Sequence, residues 1–324
     1  MYSFNELSQQ FDQYFAQRYF PAAPANLYNA AAYLPQLGGK RVRPVLCLMS
    51  NELFGEINEH TWKVAAAVEM FHNFSLVHDD IMDNAPLRRG QETVHVKFGA
   101  SAALLAGDVM LVKSYEFLEK IPAPALTRIL RIFNQTAAEV CEGQQMDMDF
   151  EQPGLTVQLD DYIKMIGLKT SVLLAAALKM GAVMGGSGPG SQHHLYEFGK
   201  HLGIAFQVQD DYLDAFGDPE KFGKQPGGDI IAGKKTFLTL NALETATATQ
   251  KQKLEELMQP GTDPQQRVAG VLQVYKDCGA DAWALQLKQH YFDLAMKHLD
   301  ETAVISTRKK NLEELAQYLM GRDH

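Results

Sequence analysis

An all-α fold in one domain, a bundle of helices, is what this sequence predicts, and three observations predict it. Apolar residues recur at three- and four-residue intervals along most of the chain, and no run alternates as a strand would. The 324 residues are 46% hydrophobic and 21% charged, enough for a large core. Two aspartate-rich stretches, 79–83 and 210–214, each close an apolar helical segment, and no Pro/Ser-rich linker or block of charge separates them. Length alone would allow two domains; two patches of the same chemistry with nothing dividing them favour a single one over 1–324.

Taken in order, 3–18 and 24–36 read as amphipathic helices, the second stopping at Gly38-Gly39. Gly39-Lys40-Arg41-Val42-Arg43-Pro44 then places three cations at a helix entrance, where free backbone N–H groups make a ready anion site. A helix over 60–82 carries Glu69, Phe71, His72 and Phe74 toward Asp79, Asp80 and Asp83. An irregular link, NAPLRRGQETVHVKFG, leads to a helix over 100–120 that is small or apolar on more than one face, which places it centrally or at a subunit interface. Helix 124–148 bears Gln144 and Asp147 near its end. The helix from about 157 to 183 opens on Asp160-Asp161, with Lys164 where a third aspartate would stand, so this pair reads as an ordinary charged helix start. Farther along it, Lys169-Thr170 enters a largely buried stretch, where a phosphate or a carboxylate must meet the lysine. Helix 191–216 brings Gln207 and then Asp210, Asp211 and Asp214.

The chain changes character at FGDPEKFGKQPGGDIIAGKK, a Gly/Pro-rich stretch with Lys221, Lys224, Lys234 and Lys235 that has the make-up of a lid or binding loop. Gly228, Gly233 and Lys234 approach a P-loop, but Lys235 stands where Ser or Thr would hold Mg²⁺ and no strand precedes it, so a nucleotide loop is rejected. Lys224 and Lys234 remain candidates for phosphate contacts. Beyond 236 the pattern is helical to the end, and Arg322 reads as a frayed surface residue.

Composition excludes several functions. A net charge of −9 argues against a nucleic-acid binder. Three widely spaced cysteines, Cys47, Cys141 and Cys278, offer neither a disulfide framework nor a zinc pattern, which suits a reducing cytosol. The N-terminus lacks the basic start and apolar run of a signal peptide. SVLLAAALKMGAVMGG is interrupted by Lys179 and too short to span a bilayer.

The aspartates carry the chemistry. Asp79 and Asp83, four apart on a helix, share a face with Asp80 beside them. Two carboxylates at roughly 6 Å repel by about 0.7 kcal/mol in water and about 3 kcal/mol at an effective dielectric near 20, a cost that a hard divalent cation reverses. All-oxygen ligation favours Mg²⁺, which commonly bridges carboxylates to substrate phosphates. The nearby Arg88 and Arg89 match phosphate oxygens in geometry and charge. One such acidic run is usually a solvated helix end; its repetition at Asp210, Asp211 and Asp214 points to two patches facing across a helical bundle and sharing a diphosphate through metal ions.

These residues resemble the trans-type isoprenyl diphosphate synthases. Glu69-x-x-His72, Ser75-Leu76-Val77-His78-Asp79-Asp80-x-x-Asp83 and Arg88-Arg89-Gly90 are similar to the first aspartate-rich motif of that family. Gly39-Lys40-Arg41-x-Arg43-Pro44, Gly107-Asp108, Lys169-Thr170, Phe206-Gln207-x-x-Asp210-Asp211-x-x-Asp214 and Gly223-Lys224 through Gly233-Lys234 resemble its other signatures, in the same order over about 38–240. The resemblance implies a helical fold of the isoprenoid synthase type around a deep central cavity, a homodimer, and head-to-tail transfer of a prenyl group. It implies about three Mg²⁺ held at Asp79, Asp83 and Asp210 with Asp80, Asp211 and Asp214 in support. Arg88, Lys169, Gln207, Lys224 and Lys234 would grip an allylic diphosphate. Lys40, Arg43, His72 and Arg89 would take isopentenyl diphosphate, and Lys169, Thr170 and Gln207 would shield the allylic cation.

Product length is expected from the helix that bears Asp79. Each turn rises about 5.4 Å, comparable to an isoprene unit, so Phe74 beside small Ser75, backed by Phe71, would form the floor for the growing chain. Simple core aromatics are the alternative. The first motif also lacks the two-residue insertion of one bacterial farnesyl-type group, and a C20 product is expected over C15. A terpene cyclase would carry an Asn/Ser/Glu metal motif where this chain has Asp210-Asp211-Tyr212-Leu213-Asp214. A non-catalytic regulatory subunit would have lost one acidic patch or the basic groups, all of which are present.

Overall fold

The computed structural model describes residues 1–17, 19–151, 157–217, 227–259 and 261–321. Lys221, Lys224 and Arg322 lie outside the described residues. As the periodicity predicts, the described chain is almost wholly helical, and it forms two compact units. The first comprises Met1–Thr136, Leu173–Tyr196 and Asp300–Leu312; the second comprises Ala137–Val172, Glu197–Leu299 and the C-terminal end from Glu313.

In the first unit, a reciprocal capping box between Ser3 and Glu6 starts α1 (Phe4–Phe15), whose Leu7, Phe11 and Phe15 recur every four residues and are buried. The helix α2 (Ala25–Gln36) stops just before Gly38 and Gly39. Arg41, left-handed at φ 50°, then leads into α3 (Val42–Glu52). The Asn58 side chain accepts from the His60 and Thr61 amides and caps α4 (Glu59–Met82). Every residue of α4 from Val64 to Phe71 is buried, which makes it the inner helix of its unit. It packs chiefly on α6 (Ala100–Leu118) and on α3. The link expected to be irregular contains a two-residue antiparallel hairpin, β1 (Leu87–Arg88) with β2 (Gln91–Glu92), and the short α5 (Val94–Phe98). On α6, Leu104, Leu105 and Val112 are more than half exposed, an apolar face left uncovered within the chain.

Next come α7 (Ala123–Phe150), α8 (Leu159–Ile166), α9 (Val172–Met184) and α10 (Pro189–Phe216). The sequence predicts one helix over 157–183; between α8 and α9 the structure instead inserts a π-helical turn, Gly167–Ser171, that contains Lys169 and Thr170. The wider turn presses its backbone outward. A Cβ on Gly143 of α7 would stand 2.2 Å from the Lys169 amide nitrogen, and one on Gly203 of α10 would stand 2.7 Å from Ser171 Oγ, so both neighbours must be glycine. Asp160 and Asp161 fall in the first turn of α8, where Asp161 completes a capping box with Gln158, as an ordinary charged helix start would.

The second unit continues through α11 (Gly228–Ala232), α12 (Phe237–Thr245), α13 (Ala248–Leu257), α14 (Pro264–Asp277), α15 (Ala280–Glu301) and α16 (Ser306–Met320), the last two shared with the first unit's segments in sequence. Its core gathers Tyr162, Met165, Val208, Phe237, Val271 and Tyr275. The stretch Leu159–Met184 is long and apolar enough to cross a membrane, but 78% of its most apolar window is buried inside the protein, as expected of a core helix. All three cysteines are free.

Candidate active site

The first aspartate motif forms the last turn of α4. The Asp83 amide donates to the Asp79 carbonyl at 2.8 Å, so the helix persists to the third aspartate and the i, i+4 pairing predicted from spacing is present. Asp79 is half-buried and Asp83 exposed. Asp80 behaves differently: it is buried, and Arg88 on β1 donates to it from Nε at 2.7 and 2.9 Å while Nη2 lies 2.7 Å from Oδ1. The β1–β2 turn thus delivers one arginine of the Arg88-Arg89 pair to the middle aspartate.

Beside this motif the structure concentrates positive charge. Arg41 turns inward, donating to Asp12 at 2.8 Å, to Glu69 at 2.5 Å and to the Pro35 carbonyl at 3.0 Å. Arg43 points instead to His72, with Nη1 3.1 Å from the ring Nε2. Arg89, itself left-handed at φ 54°, donates to the Gly38 carbonyl and brings its guanidinium against Gly39. Lys40 is exposed next to these groups in sequence. Burial, opposed by Glu69 and reinforced by Arg89, pulls Arg43 down to about 10. Burial and the Arg43, Arg89, Arg88 and Arg41 charges hold His72 well below its ordinary value, so it is neutral and its Nε2 accepts from Arg43. Arg43 Nε is buried with no hydrogen-bond partner. Cations that repel one another, with an unmet buried donor among them, are suited to bind an anion. All four residues expected to bind isopentenyl diphosphate, Lys40, Arg43, His72 and Arg89, belong to this region.

Glu69, to which its sequence motif assigns no role, lies beneath these cations. Its carboxylate, 2% exposed, is the buried counter-charge beneath Arg41, and Asn73 Nδ2 adds a contact at 3.3 Å. The signal available in the sequence was its i, i+3 spacing from His72, which puts both on one face of α4.

The second motif lies on α10 in the other unit. Asp210 and Asp214 are half-buried; Asp211 is buried, accepting from the Tyr162 hydroxyl at 3.0 Å and from Gln207 Nε2 at 2.9 Å. Burial, opposed by the Gln207 hydrogen bond, raises the Asp211 carboxyl to about 7. Gln207, expected against the allylic group, here serves Asp211. Asp214 accepts from the Asp229 amide at 2.9 Å, which fastens the end of α10 to the start of α11. Lys169 pairs with Asp147 at 2.5 Å, so of the two partners a buried lysine could take, the carboxylate is the one found. Thr170 is half-buried in the same π turn. A cavity of about 270 Å³ is lined by Asp147, Phe150, Tyr162, Gly233, Lys234 and Lys235. Lys234, half exposed, lies 3.7 Å from Asp229. A larger cavity, about 730 Å³, is lined by Asp12, Phe15, Tyr19, Phe20 and Arg41 and by no aspartate of either motif.

Of the floor residues, Phe71 is 1% exposed and packs edge-on against Phe133 at 5.3 Å, as a core aromatic does. Phe74 is 9% exposed, with its ring 5.4 Å from Phe71 and 4.8 Å from His78. Half-buried Ser75 donates to the His72 carbonyl at 2.9 Å.

The donor chemistry fits a hard cation. Each motif offers a first and third carboxylate four residues apart near a helix end, with oxygen as the only donor type, and each withdraws its middle carboxylate into protein hydrogen bonds. A helical protein with two such patches, and with cations gathered beside one of them, belongs to the class of metal-assisted enzymes that act on diphosphates. A sequence model of the polyprenyl synthetase family matches residues 24–275, and the chain belongs to that family of prenyltransferases. It is 36% identical over 318 residues to a short chain isoprenyl diphosphate synthase of Methanothermobacter thermautotrophicus, covering 98% of this chain and 97% of that one. It is 38% identical over 303 residues to a geranylgeranyl pyrophosphate synthase of Geoglobus acetivorans, covering 93% and 92%. A crystal structure of a geranylgeranyl pyrophosphate synthase superposes with a TM-score of 0.94 at 40% identity, covering 99% of each chain.

Proposed function

We propose that this protein condenses isopentenyl diphosphate with an allylic diphosphate, head to tail, to give a short all-trans prenyl diphosphate of C20, with C15 the alternative. The observation that carries it is the arrangement on α4: His72, with Arg43 and its unmet Nε beside it, lies two turns before the metal-competent pair Asp79 and Asp83. The helix α4 thus carries His72, beside Arg43 of α3, for one diphosphate met directly, and the carboxylate pair for a second met through metal.

Asp79, Asp83, Asp210 and Asp214 would hold Mg²⁺, about three ions, with Asp80 and Asp211 orienting them from behind. When bound, the metal charge offsets that of the departing diphosphate. Lys40, Arg43, His72 and Arg89 hold isopentenyl diphosphate. Lys234 and Lys224 add cations for the allylic diphosphate; Arg88 and Lys169 join them on release from Asp80 and Asp147. Cations on the leaving group lower the barrier most as its charge develops. The Lys169 carbonyl, the Thr170 hydroxyl and Gln207 face the allylic cation without attacking it, and the protein supplies no nucleophile. The alkene of isopentenyl diphosphate closes the new C–C bond, and the released diphosphate accepts the proton. Phe74, with Phe71 behind it, ends elongation.

Two further proposals accompany this reading. The protein acts as a homodimer, supported by the uncovered apolar face of α6 at Leu104, Leu105 and Val112. It acts in the cytoplasm, supported by its free cysteines. Incubation with Mg²⁺, isopentenyl diphosphate and C5, C10 or C15 allylic diphosphate, with chain length read after dephosphorylation, tests the proposal. A C20 product is expected; folded protein that condenses none of these primers would make it a regulatory subunit.

A further inference from the structure

A group of metal-ligating side chains lies in the second unit, away from the aspartate motifs. Glu197 and His201 stand four residues apart on α10, and His298 of α15 meets them; one ligand atom from each lies within 4.8 Å of the other two. All three are half-buried, reachable by an ion yet held in place. The His201 and His298 rings stack at 5.6 Å with 18° between planes, and Tyr291 stacks on His201 at 5.9 Å.

Within this group Glu197 and His201 face each other without closing a hydrogen bond. His201 Nε2 stands 3.7 Å from Glu197 Oε2, beyond hydrogen-bond range. A separation of 3.7 Å is close to the roughly 3.4 Å between two ligand atoms that each sit about 2.1 Å from one tetrahedral metal. Two imidazoles and one carboxylate suit zinc and its neighbours better than Mg²⁺.

We propose that Glu197, His201 and His298 bind one zinc-type divalent ion and staple α10 to α15, as a site separate from the Mg²⁺ carboxylates. His201 precedes Asp210 by nine residues on α10, about 14 Å along the axis, so the staple braces the helix that carries the second motif without sharing its ligands.

The test uses the full protein, stripped of metal and then kept in excess Mg²⁺ to fill the aspartate motifs, and titrated with Co²⁺. The expected result is one Co²⁺ per chain with the strong visible absorption of a tetrahedral site, displaced by Zn²⁺, and a higher melting temperature with either ion. Glu197→Gln and His298→Ala should each weaken this binding by more than about tenfold, the least expected for loss of a direct ligand. His290→Ala, outside the trio, should leave it unchanged. Melting of the metal-free variants verifies their folding, and because the two changes lie on different helices, either one is sufficient. Absence of the tetrahedral absorption in the parent protein, or the same titration in both ligand variants, would overturn the proposal.

Discussion

The two aspartate motifs share one spacing but neutralise their middle carboxylates differently. Asp80 is met by a cation, Arg88, through 2.7 and 2.9 Å hydrogen bonds. Among the described residues Asp211 meets neutral donors, Tyr162 and Gln207, and burial lifts its carboxyl to about 7. The first motif is thus built as an ion pair, the second as a buried carboxyl in a neutral polar network. In both, withdrawing the middle residue leaves the outer pair four residues apart near a helix end. The same carboxylate spacing has been reached with different electrostatics.

If the outer carboxylates carry the metal in both motifs, Asp79→Ala and Asp210→Ala should each lower kcat by at least about 100-fold, the size of losing one preorganised charge-stabilising group. Steady-state assays with saturating substrates measure this, and a motif whose outer variant turns over normally would break the symmetry. The middle residues should separate in stability. Asp80→Asn leaves Arg88 without its counter-charge; because Arg88 is 29% exposed, the loss is about 1–3 kcal/mol, less than for a fully buried pair. Asp211→Asn should cost less than about 1 kcal/mol, since the Tyr162 hydroxyl can turn and accept from the new amide. Urea melts of both variants without metal read the difference, and equal losses would erase the distinction.

Phe74→Ala should shift products beyond those of the parent enzyme, whereas an unchanged distribution would make Phe74 a core aromatic like Phe71. The smallest effect concerns pH. His72 titrates below its ordinary value when folded, so the unfolded chain takes up a proton first as pH falls, and stability drops below about 6.5, the ordinary histidine value. His72→Gln should flatten the decline in melting temperature between about pH 7.5 and 5.5; an unaltered slope would assign the effect to other groups.

The helices and both outer aspartate pairs were legible in the sequence, because periodicity and i, i+4 spacing are local. What distinguishes Asp80 from Asp211 was not. Arg88 lies close by in the chain, but Tyr162 arrives from α8, a partner that spacing around Asp211 cannot reveal. The π turn at Lys169 was hidden for a related reason: one added residue in an apolar stretch leaves the pattern helical. Gly143 and Gly203 mark it only once Lys169 and Ser171 are seen pressed against them. Likewise the cations near 40–43 looked alike until Arg41 turned onto buried Glu69 and Arg43 onto His72.

Metal binding by the two motifs is tested most directly by counting Mn²⁺, a paramagnetic substitute for Mg²⁺, bound in the presence of inorganic diphosphate. Diphosphate-dependent binding is expected, falling in Asp79→Ala and falling again when Asp210→Ala is added. Full Mn²⁺ binding by that double variant would contradict it.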